Sequence, residues 1–310
     1  MFTRRNIRVK VMQTLYASDS MGNTLSATQA QQILKKNLEQ SQQLFTYLVY
    51  FLTEIAGFAE ADALQKAHKH LPSHNDLNVN TKISGNDIIW AALENKSLTS
   101  AIKIHHIENL IDKELVRRIY LLLIASDEYK TYIALQSRDK RSEKKILEYI
   151  FNDLMLANND FTSNIEEYFI NWDDDADMMV LLMANFMQSP VAFNFGQMLS
   201  EEKGQFGINL LSTVIEKKEV TLDLIKPKLK NWDAERIAAL DMVMMHMGVC
   251  EFLYFETIPP KVTINEYIDL AKEYSTPQSG HFVNGILDNI HKELLADNKL
   301  QKKNFKNSTL

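Results

Sequence analysis

Three arginines stand together at the start of this chain: Arg4, Arg5 and Arg8, within an 18-residue stretch that contains no acid. Guanidinium forks grip phosphate oxygens two at a time and can also stack on bases, which suits single-stranded nucleic acid. Arg4 and Arg8 are four residues apart and Arg5 lies one turn before Arg8. A helix would therefore turn all three toward one side. The plainer alternative is a solvated helix end.

Other candidate chemistries are weaker. Asp173, Asp174 and Asp177 keep the Asp-Asp-x-x-Asp spacing with which helical isoprenoid synthases hold magnesium against a pyrophosphate. Such a site needs a second acidic cluster, and none has matching spacing; acids also favour a helix N-terminus, which is the preferred reading. His68, His70 and His74 straddle an expected helix end with no supporting cysteine or carboxylate spacing, and His105 and His106 point to different sides of any helix. Cys250 lies in an apolar stretch with no neighbouring cation, so a buried, inert thiol is expected. Neither a Walker pattern nor Gly-x-Gly-x-x-Gly occurs, and Gly204-Gln205-Phe206-Gly207 is too sparse to cradle a phosphate. These residues call for no cofactor and no metal, and the reading is non-enzymatic.

The elements that must position the arginines are helical. Asn6 to Ser18 has no breaker, and Ile7, Val11 and Leu15 recur at spacing four. The apolar residues cover much of that helix, so it should pack heavily while its arginines reach outward. Thr24-Leu25-Ser26 opens a second helix extending as far as His70, which Gly57 could end or bend. Leu71 to Gly85 reads as loop. Helices are expected over Lys113–Leu135, Glu143–Leu156, Asp175–Met187, Phe206–Ile215 and Leu222–Leu229. Asp233 suits the N-cap of a strongly apolar helix running to about Phe255, the central element of the C-terminal half. Thr263 and Glu266 form a capping-box pattern, and Pro277 suits the first turn of a last helix carrying Phe282, Ile286 and Ile290.

Nine Gly and six Pro in 310 residues leave little punctuation for a many-stranded fold, so the chain reads as all-α. One cysteine excludes an internal disulfide and fits a reducing compartment; with no uninterrupted apolar run of spanning length, the cytoplasm is the expected location and no membrane is implied. The net charge is −6, but Arg4, Arg5, Arg8 and Lys10 at one end and Lys299, Lys302, Lys303 and Lys306 at the other leave −14 for the remainder. An acidic body with basic ends can still hold a local polyanion site, because fields decay over about 10 Å in physiological salt.

Arg4-Arg5-Asn6-Ile7-Arg8-Val9-Lys10-Val11-Met12-Gln13-Thr14-Leu15-Tyr16 resembles the opening of the NusB family of transcription antitermination factors. Asp241 to Glu251 is similar to the family's central helix, with Glu251 at its acidic position. Lys261-Val262-Thr263-Ile264-Asn265-Glu266 and Phe282-Val283-Asn284-Gly285-Ile286-Leu287-Asp288 match its two closing helices almost residue for residue. Together these segments cover 37 of 310 residues.

The resemblance implies an all-α fold of two packed antiparallel helical bundles with an additional helical insertion. Residues 1–75 would form the N-terminal helical part with the basic helix, 76–170 the insertion and 171–310 the C-terminal bundle. It implies binding of boxA-type single-stranded RNA from ribosomal RNA operons, together with the ribosomal protein NusE, in a transcription complex with RNA polymerase. Carried over, the RNA contacts are Arg4, Arg5 and Arg8 with Gln278, His281 and the stacking ring of Phe282. Tyr16 and Asp241 would face NusE. Asn6 interrupts the arginine run, His246 stands where an arginine is usual and Gln278 replaces a commonly acidic residue. Two rivals stay open: a relative of the ribosomal RNA methyltransferases that carry a NusB-like domain, and a protein-interaction scaffold that has lost RNA binding. Some NusB relatives self-associate through the RNA surface, so a homodimer stays open too.

Overall fold

The computed structural model describes residues 1–22, 25–229 and 237–303. Among them the chain is all-α, without a strand. In chain order the helices are α1 (Arg4–Ser20), α2 (Ala27–Ala67), α3 (His74–Leu77), α4 (Asp87–Glu94), α5 (Lys96–Ile104), α6 (Lys113–Ala125) and α7 (Asp127–Ala134). There follow α8 (Lys140–Tyr149), continued by a π-helical segment Ile150–Leu156, then α9 (Asn159–Tyr168) and α10 (Trp172–Gln188). The last are α11 (Glu201–Glu216), α12 (Lys218–Ile225), α13 (Ala239–Tyr254), α14 (Pro260–Tyr274) and α15 (Ser279–Ala296).

The chain forms two compact units, one of Phe2–Leu38 with Leu199–Leu310, the other of Glu39–Met198 with Met1. α2 runs unbroken through residue 38 and on past Gly57, so it contributes to both units. The middle unit, 39–198, carries 14 Lys and Arg against 23 Asp and Glu, net −9, which leaves +3 for the rest.

In the terminal unit α13 is buried nearly all round, from Val243 to Phe252, and packs on α1, α11, α12, α14 and α15. Full burial of side chains such as Met247, Phe252 and Leu287 contributes about 1.5–3 kcal/mol each. Helices approach closely at two glycines. A Cβ on Gly207 would lie 2.7 Å from Ile7 Cγ2, and one on Gly248 would lie 2.9 Å from both Leu287 methyls. Asn6, which interrupts the arginine run, caps the start of α1 reciprocally with Thr3. Its Oδ1 accepts from Thr3 N at 2.8 Å, while Thr3 Oγ1 accepts from Asn6 N at 3.2 Å.

The middle unit is built on the remainder of α2. Phe45, Phe186, Phe193 and Phe195 form an aromatic cluster with centroids 4.9–6.5 Å apart. Asn95 caps α5 and donates to Pro190 O and Phe193 O, tying segment 190–195 to that helix. By length and composition α2 could cross a membrane, yet 67% of its most apolar window is buried inside the protein. Its apolar face serves the core.

Several elements depart from expectation. Lys113–Leu135 is two helices, because Ser126 takes an extended backbone (ψ 152°) and caps Tyr129 N, starting α7 afresh. Leu71–Gly85 contains the short α3, capped by Ser73. Helices α4, α5 and α9 had no expected counterpart. Pro277 precedes the last helix rather than opening it. The Thr263–Glu266 pair is no capping box: α14 starts at Pro260, and both side chains point elsewhere. The expected caps at Thr24 and Asp233 lie outside the described residues. Asp173–Asp175 do occupy the first turn of α10, and the buried Asp175 accepts from Ser41 Oγ at 2.6 Å.

Candidate nucleic-acid interface

The arginines divide into two kinds. Arg8 does not reach outward: it is 3% exposed, and its fork grips Glu251 through Nε–Oε1 at 2.7 Å and Nη2–Oε2 at 3.1 Å. Its Nη1 meets Glu266 Oε2 at 3.1 Å. Glu251, itself fully buried, also accepts from Thr263 Oγ1 and Tyr267 OH, each at 2.9 Å. Burial opposes the Arg8 charge, but the Glu251 carboxylate outweighs it and holds the guanidinium protonated well above its ordinary range. Burial and then Glu251 push the Tyr267 phenol far up, so it stays a hydrogen-bond donor. One knot thus joins α1, α13 and α14. Arg8 lies in the wall behind the surface, because a bidentate carboxylate in a dry interior outcompetes solvent for a fork.

Arg4 and Arg5 stay at the surface, but each has an acidic partner. Arg5 Nη2 meets Glu273 Oε2 at 2.7 Å, with the two side chains 36% and 43% exposed. Arg4 Nη2 meets Glu202 Oε1 at 2.7 Å, and its guanidinium carbon lies 5.5 Å from the Phe206 ring centroid, as does that of Arg8. Glu273 is in the last turn of α14, immediately before the four-residue turn 275–278 that leads into α15. The start of the first helix is therefore held against the approach to the last.

That turn is built from within. Ser279 Oγ donates to the buried Asp241 Oδ2 at 2.7 Å and receives Thr276 N at 3.2 Å. Asp241 thus secures the start of α15 from α13 instead of standing free at the surface. Gln278 and His281 are exposed, whereas Phe282 is only 7% exposed, since the ring joins the core face with Val283 and Ile286. Arg4, Arg5, Gln278 and His281 are accessible; Arg8 and Phe282 are not.

Tyr16 is 42% exposed on α1. His246 is buried, with Nδ1 2.5 Å from Thr221 Oγ1; burial first, and the Lys218 charge second, lower its imidazole to about 4. It borders a cleft of about 360 Å³ with Leu15, Asp19, Val214 and Lys218. Burial pushes the Cys250 thiol up to about 12. Lys302 donates to Glu251 O and Phe255 O at 2.7 and 2.8 Å, closing the C-terminal end of α13. No grouping of three or more His, Cys, Asp or Glu suited to a metal occurs among the described residues. Glu202, Phe206, Glu273 and Lys302 escaped sequence reasoning: each meets its partner across a long stretch of chain, where no spacing rule applies. Tyr267, one turn beyond Thr263 on α14, could have been found from that periodicity.

A family model described as the NusB family matches residues 182–292. Over 103 residues the chain is 38% identical to the transcription antitermination protein NusB of Desulfatibacillum aliphaticivorans, a match that takes in 33% of this chain and 72% of that protein. The chain belongs to the NusB family. NusB proteins of Salinibacter ruber (40% over 97 residues) and Methylacidiphilum infernorum (45% over 83) match 31% and 27% of this chain. The chain spans 61% and 58% of the length of those two NusB proteins. No solved structure matches.

Proposed function

We propose that this chain is a non-enzymatic, cytoplasmic, RNA-binding transcription antitermination factor that captures boxA-type single-stranded RNA of ribosomal RNA operons together with NusE. Arg4, Arg5, Gln278 and His281 make the RNA contacts. Arg8, Phe282 and Asp241 act as positioning residues behind them, and Tyr16 belongs to the NusE side. The observation that supports the reading is the Arg5–Glu273 contact, which ties Arg5 to the last turn of α14, just before the turn that leads into α15. Family membership and the relatives' shared name support it. Binding is electrostatic, with stacking by exposed planar groups. A filter-binding titration of ribosomal-leader RNA, with and without NusE, tests it. Binding that NusE strengthens and Arg5→Glu weakens supports the reading; no binding in either condition overturns it.

A further inference from the structure

The arginine run does not present three free cations. Arg4 faces Glu202, Arg5 faces Glu273, and Arg8 is consumed by Glu251 and Glu266. Four carboxylates surround three guanidinium groups, so each arginine of the run that the sequence marks as basic already has an acidic partner. The two exposed pairs are built alike. Each joins the first turn of α1 to a different helix, α11 for Glu202 and α14 for Glu273, with a contact of 2.7 Å in both cases. A carboxylate offers a guanidinium fork the same planar pair of acceptor oxygens that a phosphate does.

We infer that Glu202 and Glu273 are built-in competitors for the RNA phosphates: they occupy Arg4 and Arg5 in the free protein and set the affinity of this surface. The inference rests on the RNA-binding reading above and deepens it. A strand entering the site must exchange a carboxylate for a phosphate at each arginine, and the released carboxylate then repels the backbone. The two exchanges lower the affinity of the protein alone. A partner that supplies cations to Glu202 and Glu273 frees both arginines at once, which gives NusE a physical reason to act with this surface. The same exchange blunts the salt dependence. Added salt weakens the competing ion pairs as well as the RNA contacts, whereas a guanidinium with no acidic partner feels only the second effect.

The test is a fluorescence-anisotropy titration of a labelled boxA-type oligoribonucleotide at several salt concentrations. It compares the wild-type chain with Glu202→Gln, Glu273→Gln, the double variant, and Glu219→Gln as a control for net charge on an exposed residue of α12. Each single variant is expected to bind about threefold tighter and the double variant about tenfold tighter at low salt. The salt slope of the double variant should steepen toward the extra ~1.4 expected when two phosphates of a single strand are captured without the release of a carboxylate. Glu219→Gln should stay within about twofold of wild type. Wild-type binding that Arg5→Glu abolishes, but that neither glutamine variant strengthens, overturns this inference and leaves the RNA-binding reading intact. Equal strengthening by Glu219→Gln overturns it as well, since bulk charge then suffices. No binding by any of these proteins overturns both.

Discussion

Replacing Arg8 by methionine separates a buried structural arginine from an RNA-contacting one. The substitution keeps most of the apolar stem but removes three hydrogen bonds, two of them to the fully buried Glu251. Glu251 then keeps only the neutral hydroxyls of Thr263 and Tyr267. Orphaning one member of a buried ion pair costs about 3–5 kcal/mol. At about 2–4 °C per kcal/mol, the terminal unit should melt about 6–20 °C earlier. Circular dichroism would follow the melt, and hydrogen exchange of peptides from 239–254 would assign it to α13. The double variant Arg8→Met/Glu251→Met should recover a large part of the loss, giving a favourable coupling in a double-mutant cycle. A loss under about 1 kcal/mol for Arg8→Met, or strictly additive losses, would refute the structural role of the pair.

Two further outcomes follow from buried positions. The His246 folded-state pKa, about 4, lies below its ordinary 6.5, so as pH falls the unfolded chain takes the proton first. Stability should therefore drop between pH 6.5 and 4 by up to about 3 kcal/mol, and urea midpoints of His246→Gln should lack that component. Gly207→Ala forces a methyl to 2.7 Å from Ile7 Cγ2, and thermal unfolding should show a loss of about 1–3 kcal/mol.

The parts of the fold legible in the sequence were those written in helical periodicity. Ile7, Val11 and Leu15 marked α1, and the apolar run through Met244, Met247 and Phe252 marked α13, because burial on one or all sides leaves a period in the residue types. Short helices with polar starts were not legible. Asn86, Asn95 and Asn158 each cap a helix through a side-chain oxygen, yet asparagine clusters read equally well as loop. Ser126 broke a continuous pattern with a cap that periodicity cannot sense. For the candidate site residues, the sequence did not reveal exposure. Arg4, Arg5 and Arg8 look alike in sequence; only the buried Glu251, 243 residues further on, separates Arg8 from the other two. Phe282 likewise combines an aromatic ring at a helix start with a core-facing period, and the core prevails. In this chain the residues that carry the resemblance largely serve packing: Glu251 and Glu266 hold Arg8, Thr263 holds Glu251, and Asp241 holds Ser279.

The most direct measurement is RNA affinity of Arg5→Glu beside wild type, with NusE present and the fold verified by circular dichroism. The account predicts at least a tenfold loss, since the reversed charge faces both Glu273 and the RNA backbone. Undiminished affinity in a correctly folded Arg5→Glu protein would contradict it.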